Sequence, residues 1–183
     1  MNRPHLCYTD GSCKSGNEGA PGGWGFCVRA PDGTSVEGHG KAVKTLAKTM
    51  EYTAVAEALA ALPAEAQATV FSDSQSLVEN LGKRLAGWRE GGFRKVDPEI
   101  VEIVRRIDAL LAEKKIAAEW QWIRGHNGNA GNERADELAA QGAREAKADL
   151  DAEAKVEKKA RREKWMEKQG RAQVEERRAK PKR

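Results

Sequence analysis

The chain has 183 residues, 39% hydrophobic and 33% charged, which suits one domain with a remainder. Residues 151–183 hold 13 of the 32 Lys and Arg but 7 of the 28 Asp and Glu, a net of +6 that leaves −2 for residues 1–150; a basic tail on a near-neutral body suggests either a tether for a polyanion or a solubilising helix. Three cysteines without a CxxC pair argue against a disulfide framework and a zinc knuckle, and no run of about 18 apolar residues is available to cross a membrane.

The first strand is predicted at roughly His5–Asp10, with Leu6, Tyr8 and Asp10 on one face and Cys7 and Thr9 on the other. A glycine-rich turn over Gly11–Gly23 leads to a second strand, about Trp24–Ala30. Pro31-Asp32-Gly33 makes a tight turn into a third, about Thr34–Lys41, completing an antiparallel meander.

The period becomes helical from about Thr45 to Leu62. Val55, Ala58 and Leu62 follow Glu51 at +4, +7 and +11, which places Glu51 on the buried stripe, and Pro63 ends the helix. A short apolar strand, Ala68–Ser72, runs into Asp73. A helix from Ser74 to about Leu85 precedes a basic, aromatic segment over Lys83–Lys95. Asp97-Pro98-Glu99 opens a helix reaching about Lys114. Ile116–Ile123 reads as a strand, and the loop Arg124–Asn132 opens the next helix. The order implies an α/β fold: a mixed sheet, its three antiparallel strands first, flanked by helices.

Beyond Gly142 no proline occurs before Pro181, and acid-before-base pairs recur at i,i+4: Asp151–Lys155, Glu157–Arg161, Glu167–Arg171 and Glu176–Lys180. Apolar residues are too sparse for heptads. The expected organisation is a domain over 1–147 and a charged tail over 148–183, helical and fraying into disorder. The first residues do not resemble a secretory leader, so a reducing, cytoplasmic setting is expected.

Four carboxylates stand out. Asp10 shares a strand face with Leu6 and Tyr8, Glu51 is in register with Val55, Asp73 ends an apolar strand, and Asp136 lies early in the last core helix. A carboxylate on a buried face needs a partner, and no Lys or Arg shares these faces. Hard oxygen ligands suit Mg²⁺ or Mn²⁺, and a pair of such ions can drive phosphodiester hydrolysis. Taken singly, Asp73 and Asp136 read better as acids favoured near helix N-termini.

Four blocks, in order, resemble the ribonuclease H family of bacterial type I. They are TDGSC at Thr9–Cys13 with the following PGGWG, MEYTAVAEAL at Met50–Leu59, FSDSQSLV at Phe71–Val78, and WIRGHNGNAGNERADELA at Trp122–Ala139. The resemblance covers about residues 5–145. It implies a five-stranded mixed sheet and endonucleolytic hydrolysis of RNA paired to DNA, leaving 3′-hydroxyl and 5′-phosphate ends. It implies two Mg²⁺ ions, with Mn²⁺ able to substitute, held by Asp10, Glu51, Asp73 and Asp136. Asp10 would bridge both ions. Glu51 and Asp73 would serve the leaving-group side, and Asp136 the water side.

His126 matches the family's mobile histidine, which would assist proton transfer or product departure. The resemblance assigns contacts with the hybrid to Cys13, Asn17 and Gln75. It assigns a basic handle for the DNA strand to Lys83, Arg84, Trp88, Arg89, Phe93, Arg94 and Lys95. The expected partner is an RNA–DNA hybrid, with no membrane association, and the protein is expected to be a monomer.

Three features depart from the family pattern. Leu46-Ala47-Lys48 stands where an Asn-containing run commonly precedes the metal-binding Glu, which predicts weaker discrimination of hybrids and offers Lys48 for a phosphate. The handle is short, and the Lys/Arg tail lies outside the family core. Related acidic-site nucleases, such as transposases and integrases, and a non-catalytic binding module with this fold are the competing readings.

Overall fold

The computed structural model describes residues 3–13, 19–126 and 128–179. Strands β1 (His5–Cys13), β2 (Ala20–Arg29) and β3 (Ser35–Thr45) form the antiparallel meander. β1 and β2 both extend into the glycine-rich run that reads as a turn, because glycines 11, 22 and 23 pair in the ladder instead of interrupting it. The tight turn between β2 and β3 matches its sequence. Gly33 takes φ +89°, and the Asp32 side chain accepts from the Thr34 amide at 2.9 Å and from its hydroxyl at 2.7 Å.

Helix α1 (Ala47–Ala61) follows, then β4 (Gln67–Ser72), which lies parallel to β1. Leu62 is extended, as the residue before a proline must be. The Lys114 ammonium donates to the carbonyls of Ala60 and Leu62, closing the orphaned end of α1.

The stretch after β4 differs from expectation. The chain stays helical from Gln75 to Glu90, through α2 (Gln75–Glu79), a π-helical turn (Asn80–Arg84) and α3 (Leu85–Glu90). The reason is visible in the spacing: Leu77, Leu81 and Leu85 recur every four residues and are all buried. Much of the basic segment therefore rides on a helix rather than an irregular loop. Gly91 and Gly92, the latter at φ +64°, end it.

Helix α4 (Val101–Glu113) and β5 (Ala117–Trp122), parallel to β4, precede α5 (Ala130–Ala179). The sheet order is β3-β2-β1-β4-β5. On one face α1 and α4 enclose a core built from Cys7, Val28, Val55, Leu59, Val70, Val104 and Ile107. The other face receives the first turns of α5 through glycines. A methyl group placed on Gly23 would meet the Ala139 carbonyl at 2.3 Å, and one on Gly142 would meet that of Gly40 at 2.1 Å. Main chain thus packs against main chain, which only glycine permits at this separation.

The chain divides into two compact units, 1–147 and 148–183. The second is helical through Ala179. In this unit Lys159 pairs with Glu163 at 3.9 Å, whereas Asp151–Lys155 and Glu157–Arg161, expected from their spacing, are not closed among the described residues.

Candidate active site

Each of the four acids belongs to a different element, and the sheet order explains why they meet. β1 is central, flanked by β2 and β4, and Asp10 lies near its C-terminal end. Gly11, next along, has no side chain, so the α1 backbone passes close by; a methyl there would meet the Glu51 amide nitrogen at 2.3 Å. That approach places Glu51 over the end of β1. Asp73 follows the last residue of β4, the strand parallel to β1, so its carboxylate emerges at the same sheet end. Asp136 is in the second turn of α5, whose start packs on Tyr8: a methyl on Gly131 would strike that ring at 2.3 Å.

Electrostatics show the convergence. Asp10 holds its proton up to about pH 8. Burial contributes most, followed by the charge of Asp73 and then by the charge and hydrogen bonding of Asp136; the Gly11 amide, donating at 2.8 Å, opposes them. Burial also raises Glu51, with Asp73 adding to it, while a hydrogen bond from Ser74 pulls the other way. Among the described residues no Lys or Arg is a leading influence on either carboxyl. Asp10 and Glu51 are half-buried, as their strand and helix patterns suggest, whereas Asp73 is exposed. Asp73 sits beyond the apolar strand, where the chain has already left the sheet.

These residues fit a hard divalent cation. Oxygen donors of one charge crowd one another without a counter-charge. Asn132, one turn before Asp136 on the same helix face, is buried with its Oδ1 unpartnered. Among the described residues no three of the acids are drawn into a closed cage; mutual repulsion across four separate elements opposes that arrangement.

His126 lies in the loop before α5 at φ +51°, a backbone eased by the glycines at 125 and 128. Its side chain is 81% exposed, with Nδ1 3.7 Å from Asp136 Oδ2. The same loop covers Asp73, since a methyl on Gly125 would come within 2.6 Å of its carboxylate. Asn129 caps α5 by accepting from the amides of Gly131 and Asn132, which sets the helix phase that aims Asp136.

The residues expected to touch nucleic acid divide. Cys13 is half-buried near the Thr45 carbonyl, and Gln75 is exposed beside Glu79. Asn17 lies outside the described residues. Lys83, Arg84, Arg94 and Lys95 are exposed, and no carboxylate engages them among the described residues. Arg89, by contrast, grips Asp108 through Nε and Nη2. Trp88 and Phe93 pack on the core, with Arg105 lying 4.7 Å over the Phe93 ring. Lys48 binds Asp97 and Glu99, so its ammonium is already committed to holding α1 against the segment before α4.

Two contributors escaped the sequence reading. Ser74 reaches Glu51, and the Trp122 indole donates to the Asp73 carbonyl at 2.9 Å. Neither leaves a sequence signal, because each depends on which strand neighbours which.

Comparison with known proteins agrees with this arrangement. Residues 2–144 match the family model described as RNase H. A protein of Polaromonas naphthalenivorans named Ribonuclease H is 44% identical over 140 residues, spanning 75% of this chain and 85% of that relative. LC9-RNase H1, a type 1 RNase H with the type 2 active-site motif, superposes with a TM-score of 0.67 at 26% identity, over 78% of this chain and 73% of the other. LC11-RNase H1 in complex with an RNA/DNA hybrid shares the fold, with a TM-score of 0.60 at 22% identity over 78% of this chain and 98% of that one. With its fold, its ordered motifs and its acids in place, the chain belongs to the ribonuclease H family.

Proposed function

We propose that this protein hydrolyses the RNA strand of RNA–DNA hybrids endonucleolytically, leaving 3′-hydroxyl and 5′-phosphate ends. The observation that carries the reading is the meeting of Asp10, Asp73 and Asp136 from three elements, with Asp10 pushed up to about 8 by burial and those neighbours. Family membership and the hybrid held by LC11-RNase H1 support the choice of substrate.

Asp10, Glu51, Asp73 and Asp136 would hold two Mg²⁺ ions, or Mn²⁺ in their place. Bound there, the cations supply Lewis acidity toward the attacking water and the leaving oxygen. Asp10, on which both Asp73 and Asp136 act, would be the carboxylate able to serve both ions. Glu51, steadied by Ser74, and Asp73, whose backbone is held by Trp122, would serve the leaving-group side. Asp136 would serve the water side. His126, exposed and beside Asp136, is placed to carry a proton or to help product leave.

Cys13, Asn17 and Gln75 would contact the hybrid across its minor groove, where the 2′-hydroxyls distinguish RNA. In the handle, Lys83, Arg84, Arg94 and Lys95 supply the cations for the DNA strand, while Arg89, Trp88 and Phe93 build the platform beneath them. Residues 1–147 form the catalytic domain and 148–183 an appendage. The reading expects a monomer in the cytoplasm; among the described residues no helix is long and apolar enough to cross a membrane.

The test is cleavage of end-labelled hybrid beside duplex RNA and duplex DNA, with Mg²⁺ and with chelator. Mg²⁺-dependent cutting of the hybrid alone, with products that a polymerase extends from their 3′ ends, is the expected result. Equal cutting of duplex DNA would contradict it.

A further inference from the structure

The second unit carries a feature that the active site does not use. Within its helix Trp165 is 58% exposed, a costly position for an indole. Lys158, Arg161, Arg162 and Lys168 lie at −7, −4, −3 and +3 from it, the spacings that share one helical face. All four are exposed, and among the described residues no carboxylate engages them. Glu153, Glu163 and Glu167 fall on other sides, where Glu163 takes Lys159, while Glu157 stands four residues before Arg161. Within two turns of Trp165 this face therefore carries four cations with an aromatic ring among them, and Glu157 stands at its edge. A helix serving only solubility has no need of an exposed indole among unengaged cations.

We propose that this face is a second nucleic-acid site, one that binds single-stranded DNA. The cations match a row of phosphates, and an exposed indole among them offers a stacking surface to an unpaired base. A duplex already stacks its bases internally and gives Trp165 nothing to hold, so the ring selects a single strand. The DNA choice rests on the proposed reaction: hydrolysing the RNA of a hybrid leaves its DNA strand unpaired near the enzyme. Binding there keeps the protein on its template between cuts. No base is read, because stacking and phosphate contacts carry no sequence information.

The test is fluorescence anisotropy of a labelled 15-nucleotide oligo(dT) with the full-length protein in EDTA, at two salt concentrations. The variants are Trp165→Ala and the pair Arg161→Glu with Arg162→Glu. Loss of stacking should weaken oligo(dT) binding by about tenfold, given roughly 1–3 kcal/mol per stacked base. The charge reversal should also make the salt dependence shallower, by about 0.7 in log–log slope for each phosphate no longer neutralised. Turnover on saturating blunt hybrid should stay unchanged in both variants. Unchanged oligo(dT) affinity in both would overturn the site. Equal losses of oligo(dT) and duplex DNA binding in Trp165→Ala would overturn single-strand selection, and a preference for oligo(U) over oligo(dT) would overturn the DNA assignment. Failure of hybrid cleavage in the wild-type protein would instead count against the catalytic reading, which this binding measurement does not depend on.

Discussion

The imidazole of His126 stands 3.7 Å from the Asp136 carboxylate, on a loop whose backbone takes a left-handed turn at the histidine itself. The ring is solvent-facing and outside the group of acids around Asp10. Such a placement suits a group that moves protons or product rather than one that binds substrate.

His126→Ala should therefore slow turnover, by up to the ~10²–10⁴-fold typical of general acid–base groups and by less if release is its task. Hybrid affinity should change little. Single-turnover kinetics beside equilibrium binding separate the two. Collapse of affinity with turnover preserved at saturation would make His126 a binding residue.

Asp10 links acidity to stability. Its folded proton affinity is raised, from the ordinary 3.8 to about 8, so the folded state keeps a proton that the unfolded chain gives up. Metal-free stability consequently falls as pH rises between these values, and the penalty is absent below about pH 4. Asp10→Asn should raise the metal-free melting temperature near pH 7 and leave it almost unchanged near pH 4. Each tenfold change in proton affinity is worth about 1.4 kcal/mol, and relaxation among the acids reduces the total, so a gain on the order of 1–3 kcal/mol is expected near neutrality. Added Mg²⁺ should stabilise the wild-type protein more than the variant. An equal response to Mg²⁺ would remove Asp10 from the metal site.

The Lys48 ion pairs bear on a question that the sequence leaves open. Its place in Leu46-Ala47-Lys48 offers a phosphate contact, but the ammonium is taken by Asp97 and Glu99. Lys48→Ala should leave hybrid affinity within about twofold and cost about 0–1 kcal/mol of stability, as exposed pairs do. A marked loss of hybrid affinity, with a shallower salt dependence, would restore the phosphate role.

Gly23→Ala should be severe. The added methyl would meet main-chain atoms of α5 at 2.3 Å, with no flexible side chain to give way. Overpacking of this kind typically costs about 1–3 kcal/mol and sometimes more. Gly87→Ala, where nothing lies within 4 Å, is the control and should be neutral or slightly stabilising. Chemical denaturation measures both.

Much of this architecture is legible in the sequence because local rules act there. The Pro31-Asp32-Gly33 turn, the stop at Pro63 and the alternation along β1 each follow from backbone preferences within a few residues. The helical run through Lys83–Glu90 is harder to read, since basic residues and two glycines mask the leucine spacing that drives it. The four acids stand out by their faces and by the motifs around them. The exposure of Asp73, the help of Ser74 and Trp122, and the capture of Lys48 and Arg89 by acids 19–51 positions away along the chain arise only when distant segments meet. No window of sequence holds both partners.

The central claim is that the carboxylates around Asp10 power hydrolysis of RNA paired to DNA. Its most direct test is cleavage of one end-labelled hybrid in Mg²⁺ by wild-type protein and by Asp10→Asn, with folding of the variant verified by circular dichroism. The account predicts efficient cutting of the RNA strand by the wild type and none above background by the folded variant, with hybrid binding retained. Substantial Mg²⁺-dependent cleavage by folded Asp10→Asn would contradict it.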